Sequence, residues 1–229
     1  MDTQEDLNKK LQDIIDKQTT FSVLLDHTIF RYARGSVLYG TFEVGLSDYD
    51  WLIVVDDCFT PFLEKFPKGI YQDVQYNNDY EFIAESNFIE RLKNNEIDML
   101  ECVFSKPDAC DGKYKKIVDD NLDKWKLRQS ISAICSNSWV KCKKKLTVEK
   151  DYNLRIAQKS LWHSLRLYMF GAQIAKHGKI VNWEEANDLW IQIRDTETPT
   201  WDYYKSEYQS MFNKLRTEFV KLCEKPRDV

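Results

Sequence analysis

The sequence is poor in the residues that interrupt regular structure, with seven glycines and five prolines among 229 residues. It also has no internal repeat and no low-complexity segment, which excludes a repeat architecture. Hydrophobic residues make up 43% of the chain and aromatic residues 14%, enough apolar surface to offset chain entropy without cross-links. We therefore expect the whole chain to fold, as one or two domains.

Paired metal-binding cysteines and long hydrophobic runs are also missing. The six cysteines include no Cys-x-x-Cys pair and no neighbouring histidine at metal-ligand spacing, so we interpret them as reduced thiols. The longest apolar runs, such as Trp51 to Val55, are too short to cross a bilayer. The first residues are acidic where a secretory signal requires a basic stretch, so a cytoplasmic location without a membrane partner is expected.

An excess of positive charge is absent as well, because 33 basic and 37 acidic residues give a net charge of -4. No global positive field then indicates a nucleic-acid partner, and any such contact requires a local patch. Small basic clusters occur at Lys113 to Lys116 and at Lys141 to Lys145. Their usual explanation is a solvated helix face, and the alternative is a track for a nucleic-acid acceptor.

The first half of the chain has the pattern of an α/β (α+β) fold. An amphipathic helix is predicted from Glu5 to Lys17, and a strand from Thr28 to Ala33. The apolar run Trp51 to Val55 predicts a buried central strand, and Tyr71 to Tyr76 with Asp79 to Ala84 predict a hairpin. These elements form a short mixed sheet with flanking helices, which we assign to a catalytic domain over residues 1–107.

The second half is predicted to be a helical module over residues 108–229. Glycine and proline are scarce after Pro107, and apolar residues recur at steps of three and four, as in Leu154, Ala157, Leu161 and Leu165. On the same helix Lys159, His163 and Arg166 share one face. This basic stripe is a candidate contact for a triphosphate. The alternative is a solvated or inter-module face, because charged stripes are ordinary on helices and a single histidine is usually packed or hydrogen-bonded.

The candidate chemistry lies between Gly35 and Asp50. Asp48 and Asp50 precede the buried strand, and strand side chains alternate, so both carboxylates are expected on one face. Such a pair repels unless cations neutralise it, and Mg²⁺ is the hard ion that carboxylates and phosphates share. The plainer interpretation of this Ser-Asp sequence is a loop cap.

A two-metal site needs a third carboxylate, and Asp79 and Glu81 are the candidates because they alternate along the next predicted strand. We favour Asp79, whose shorter side chain gives a stiffer ligand. Gly35 permits close backbone approach, and the Ser36 hydroxyl can hold a phosphate or, alternatively, only cap the following helix. Glu101 is expected more often to pair with an arginine or lysine than to act in catalysis.

These motifs resemble those of a known superfamily. The sequence has Gly35-Ser36, then eleven residues, then Asp48-Tyr49-Asp50 followed by an apolar strand. This arrangement is similar to the signature of the DNA polymerase beta nucleotidyltransferases. A closer resemblance is to the predicted nucleotidyltransferases associated with RNA repair. These proteins similarly have an aromatic residue and a glycine just after the Gly-Ser, as Tyr39-Gly40 are here, and a serine before the first aspartate, as Ser47 is here. Asn94 to Phe104 is similar to that family's N-x-x-x-x-L-E-x-x-F segment, and Lys159 to Arg166 matches its helical half more loosely.

The resemblance implies a nucleotidyltransferase-type fold and activity. It implies that Gly35 and Ser36 contact nucleotide phosphates and that Asp48, Asp50 and Asp79 bind Mg²⁺ (or Mn²⁺). The expected reaction transfers a nucleoside monophosphate from a nucleoside triphosphate to an acceptor hydroxyl on RNA, protein or a small molecule. The alternative is a protein that binds a nucleotide or a partner on this fold without turnover, as an antitoxin does.

Overall fold

The computed structural model describes residues 21–45, 47–63, 70–73 and 78–225, with the backbone alone for Phe62 and residues 70–73. The amphipathic helix expected from Glu5 to Lys17 lies outside these residues. The described chain is α+β, with a mixed sheet in its first part and helices in its second, as the sequence predicts.

The sheet in the described residues has four strands in the order β1-β2-β4-β3. β1 pairs antiparallel with β2, β2 pairs parallel with β4, and β4 pairs antiparallel with β3. The pairing of β3 with β4 confirms the predicted hairpin, although Asn78, which lies between the two predicted strands, is the first residue of β4 and pairs with Asp73. The connection at residues 74–77 lies outside the described residues. The four strands are β1 (Thr28–Arg34), β2 (Tyr49–Val55), β3 (Ile70–Asp73) and β4 (Asn78–Ala84).

The central strand β2 is buried where its sequence is apolar, which confirms the prediction made for Trp51 to Val55. Leu52 and Val54 are fully buried on one face. Ile53 and Val55 on the other face join Phe82 of β4 and Leu24 in one hydrophobic cluster. A strand covered on both faces has to be apolar along its length, because neither side can be left to water.

Short helices surround this sheet. Asp57 accepts a hydrogen bond from the Ser86 amide with its carboxylate, which satisfies a free N–H group in the first turn of a helix. The helices are α1 (residues 21–26), α2 (Gly35–Tyr39), α3 (Thr60–Leu63) and α4 (Glu85–Lys93), with a 3₁₀ turn at Asp57–Phe59.

The second half is helical, as predicted. Its two longest helices are capped by side chains at their N-termini, since Asp123 accepts from the Lys126 amide and Asn153 from the Ile156 amide. None of the helices in the described ranges combines the length and the apolar character needed to cross a membrane. The helices are α5 (Ile97–Ser105), α6 (Lys113–Asn121), α7 (Lys124–Thr147), α8 (Leu154–His177), α9 (Asn187–Arg194) and α10 (Trp201–Leu222), with a 3₁₀ turn at Glu149–Asp151.

Gly171 lets three of these helices pack closely. A methyl group added to this α8 residue would lie 2.7 Å from a side-chain carbon of Ile131 on α7 and equally close to one of Phe219 on α10. Both distances are shorter than van der Waals contact, so a larger residue at this position would force the Ile131 and Phe219 side chains to shift where α7 and α10 approach α8.

Contacts divide the chain into two compact units, and the division differs from the boundary placed at Pro107. One unit contains the described residues of Met1–Val37 and Glu43–Glu90, and the other contains Leu38–Phe42 and the described residues of Arg91–Val229. Helix α5 thus belongs to the helical unit, where it buries seven of its nine residues. The proline marks the end of a helix but does not show which core that helix joins.

Candidate metal centre

Three aspartates converge at one end of the sheet. Asp48, Asp50 and Asp79 each contribute a carboxylate oxygen, and these oxygens all lie within 4.8 Å of one another. Asp48 directly precedes β2, while Asp50 and Asp79 are the second residues of β2 and β4. All three side chains are half-buried, so a hydrated ion could reach them and exchange part of its water for carboxylate oxygens.

The register of the parallel strands brings the third aspartate to the first two. Asp50 is the direct partner of Asp79 across β2 and β4, and Leu52 is the partner of Glu81. Partners on neighbouring strands lie about 5 Å apart, and their side chains point to the same face. Asp79 therefore lies level with Asp50, whereas Glu81 lies two residues further along the strand.

Glu81 is engaged elsewhere. Its carboxylate accepts a hydrogen bond of 2.5 Å from a guanidinium nitrogen of Arg34, the last residue of β1. Of the two candidates for the third carboxylate, Asp79 lies with the aspartate pair, whereas Glu81 forms an ion pair with Arg34. The sequence does not indicate this ion pair, because Arg34 and Glu81 are far apart in the chain.

Gly35 forms one wall of the site. Its φ of +63° is a backbone conformation that favours glycine, and a methyl group added to it would lie 2.0 Å from Oδ2 of Asp50. The Asp50 carboxylate therefore occupies the space that any other residue at position 35 would fill. Ser36 follows as the second residue of α2, half-buried.

The turn before Asp48 is closed by Ser47. This serine is 3% exposed. Its Oγ accepts a hydrogen bond of 3.1 Å from the Glu43 amide, and its own amide donates to the Glu43 carbonyl at 2.9 Å. These two bonds hold the backbone immediately before Asp48, so that the side chain enters the site from a fixed position.

The three carboxylates repel one another. At 4.8 Å and an effective dielectric constant of about 20, each pair of negative charges costs about 3 kcal/mol, and exposure to water reduces this value. A bound divalent cation turns the repulsion into attraction. Three carboxylate oxygens are a ligand set for a hard ion such as Mg²⁺ or Mn²⁺.

The repulsion predicts that Asp48→Asn stabilises the metal-free protein. Removing one of three clustered charges should raise the melting temperature by about 2–4 °C for each kcal/mol of repulsion relieved. Differential scanning calorimetry in the presence of a chelator measures this change. Asp108→Asn, at an exposed position, is the matched control and should leave the melting temperature unchanged. A lower melting temperature for Asp48→Asn would show that the cluster is not repulsive.

The structure places Arg166 in the core of the helical unit, in contrast to the triphosphate contact predicted for it. The side chain is 1% exposed. Its guanidinium carbon lies 3.3 Å from the centre of the Tyr39 ring, and Nη2 lies 3.7 Å from Oε1 of Glu101. Tyr39 donates a hydrogen bond of 2.6 Å to the other oxygen of Glu101. Glu101 is therefore a structural partner of an arginine, as predicted.

His163 belongs to the same cluster. Its Nδ1 lies 3.0 Å from Nη2 of Arg166, and because the guanidinium can only donate, the imidazole accepts this hydrogen bond. Burial, together with the positive charges of Arg166 and Lys141, lowers the pKa of His163 to about 3. The ring is neutral near pH 7 and supplies no positive charge for a phosphate.

Lys159, the remaining member of the predicted stripe, is half-buried. Periodicity placed the three residues on one face but could not show that the end of this face at Arg166 is covered. A triphosphate contact by Lys159 stays a prediction.

The two basic clusters carry compensating acids. Lys115 and Lys116 form ion pairs with Asp119 and Asp120, one turn further along α6. Lys144 and Lys145 both pair with Asp151. This pairing is typical of a solvated helix face, the interpretation that the sequence favoured over a nucleic-acid track.

Comparisons with known proteins add no relative to this description. No protein-family model matches the chain, and no curated protein matches it significantly. The function of the site is therefore inferred from its own residues and geometry.

Proposed function

We propose that the chain is a metal-dependent nucleotidyltransferase that transfers a nucleoside monophosphate from a nucleoside triphosphate to an acceptor hydroxyl. The observation that carries this proposal is the convergence of Asp48, Asp50 and Asp79 at one end of a mixed sheet. The backbone of Gly35 against Asp50 supports it, because a Gly-Ser turn beside a carboxylate cluster is suited to a phosphate-bearing substrate. The motif resemblance supports it independently.

The donor set fits the proposed cofactor. Three half-buried aspartate oxygens provide hard, anionic ligands, and no cysteine or histidine belongs to this cluster in the described residues. Mg²⁺ or Mn²⁺ bound there would neutralise the charge of the phosphates and lower the pKa of the attacking hydroxyl.

The chain's own residues then position the reactants. Asp50 and Asp79 are fixed by strand register, and Asp48 by the turn that Ser47 closes. The Ser36 hydroxyl donates to a nucleotide phosphate, and the absence of a side chain at Gly35 leaves room for the Asp50 carboxylate. In the reaction the acceptor oxygen bonds to the α-phosphorus, the bond from that phosphorus to the bridging oxygen breaks, and pyrophosphate leaves with the acceptor proton. Positioning and charge neutralisation account for most of the rate.

The test is isothermal titration of the protein with each of the four ribonucleoside triphosphates, with and without Mg²⁺. We expect at least one of them to bind only with Mg²⁺, and the Asp48→Asn/Asp50→Asn variant to bind it at least tenfold more weakly. The nucleotide that binds, labelled at its α-phosphate, then identifies the acceptor among RNA, proteins and small molecules by transfer of the label.

Two outcomes contradict the proposal. The absence of binding by any triphosphate would leave a partner-binding protein on this fold. Binding without pyrophosphate release, in a protein whose biological effect survives Asp48→Asn, would instead support the non-catalytic alternative.

A further inference from the structure

Arg34 lies in line with the carboxylates. It is the register partner of Asp50 across β1 and β2, and Asp50 is in turn the partner of Asp79. Partners across neighbouring strands point to the same face of a sheet. An arginine and two of the three aspartates therefore form one row across three strands, with the cationic residue at one end.

Glu81 holds the arginine on that face. Arg34 and Glu81 lie on strands on opposite sides of β2, and the 2.5 Å ion pair between them spans that strand. Both side chains are partly buried, with 22% and 32% exposed. The guanidinium is thereby kept over β2, on the face of the sheet that carries Asp50 and Asp79, where a less constrained arginine would extend into water.

A guanidinium in this place has two opposite electrostatic effects. It never loses its proton near neutral pH, so it is a permanent positive charge on the same face of the sheet as the aspartate cluster. It repels a bare divalent cation that approaches the carboxylates. The same charge attracts a triphosphate, whose negative charge is larger than the positive charge of the metal ion that it carries.

On the basis of the proposed function, we propose that Arg34, held by Glu81, is a positioning and specificity-determining residue that makes the site favour a metal–nucleoside triphosphate complex over the metal ion alone. Arg34 partly balances the carboxylates while no substrate is bound, and so limits the binding of free ions. Glu81 acts through Arg34 and is not a metal ligand.

Two affinities test the proposal. The first is the affinity for Mn²⁺ alone, measured by electron paramagnetic resonance. The second is the affinity for the Mg²⁺ complex of the ribonucleoside triphosphate that binds the wild type most tightly. Arg34→Gln should bind Mn²⁺ about threefold or more tightly and the nucleotide complex about fivefold or more weakly, because one positive charge is lost. Arg34→Lys keeps the charge and should restore the wild-type Mn²⁺ affinity. Opposite changes in the two affinities cannot come from a general loss of folding.

Arg31→Gln is the matched control. Arg31 lies on the same strand but faces the other side of the sheet, where its guanidinium lies 5.9 Å from the centre of the Trp51 ring. Removing its charge should change neither affinity. Glu81→Gln should weaken binding of the nucleotide complex as Arg34→Gln does, while Mn²⁺ binding changes by less than tenfold.

The outcomes separate this inference from the proposed function. A wild type that binds neither Mn²⁺ nor any nucleotide complex overturns both. A wild type that binds both, with Arg34→Gln unchanged or with Arg31→Gln equally affected, overturns only the role of Arg34. A loss of Mn²⁺ binding of a hundredfold or more in Glu81→Gln would instead make Glu81 a metal ligand.

Discussion

A Gly35→Ala variant is expected to bind Mn²⁺ at least tenfold more weakly and to transfer nucleotide about a hundredfold more slowly. The added methyl group would lie 2.0 Å from Oδ2 of Asp50, so the carboxylate or the turn has to move by an ångström or more. A displacement of that size in a catalytic group typically lowers a rate by about two orders of magnitude. The left-handed backbone adds a strain of about 1–2 kcal/mol to the folded state.

Gly45→Ala separates the two causes. Gly45 has a φ of +80°, so alanine there has a comparable backbone strain, but no atom of the residues that the structure describes lies within 4 Å of the added methyl group. We expect Gly45→Ala to lower the melting temperature without changing Mn²⁺ affinity or transfer, both measured beside Gly35→Ala. If the two variants lose Mn²⁺ affinity equally, the contact between Gly35 and Asp50 has no functional role.

Arg166→Met is expected to destabilise the helical unit by about 3–5 kcal/mol, because it leaves the Glu101 carboxylate buried without its cation. The Tyr39 ring also loses the guanidinium stacked on it. Urea unfolding followed by circular dichroism measures the loss. Combining Arg166→Met with Glu101→Leu should recover at least half of it, since replacing both charges by apolar groups removes the unpaired ion.

Arg194→Met is the control for this double-mutant cycle. Arg194 also forms an ion pair, with the neighbouring Asp195, but both side chains are substantially exposed. Its replacement should cost less than about 1 kcal/mol. Strict additivity of the Arg166 and Glu101 substitutions would show that their charges are not coupled.

The candidate site could be predicted in part from local sequence. The apolar run after Asp50 predicted the buried strand β2, and the alternation of strand side chains placed Asp48 with Asp50. Both inferences depend only on neighbouring residues, because a strand covered on two faces must be apolar and successive side chains must alternate.

Local sequence could not decide which of two acidic residues is the third carboxylate. Asp79 and Glu81 have the same alternation, and only the register of β4 against β2 shows which one lies level with Asp50. That register is set by contacts along both strands and not by either strand alone. The ion pair between Arg34 and Glu81 depends on the same pairing.

The basic stripe on α8 shows a second limit. Helical periodicity correctly placed Lys159, His163 and Arg166 on one face. It could not show that Tyr39 and Glu101, both distant in sequence, cover the end of that face at Arg166. Whether a charged side chain is exposed or buried depends on what packs against it, which periodicity does not contain.

The sequence by itself determined the α+β class, the buried strand β2 and the aspartate pair at its start, because those features follow from residues adjacent in the chain. Only the tertiary structure decided that Asp79 joins this pair, that Arg34 is held by Glu81 and that Arg166 is buried. Each of these depends on strand register or helix packing, and the contacts that set them join residues far apart in the sequence.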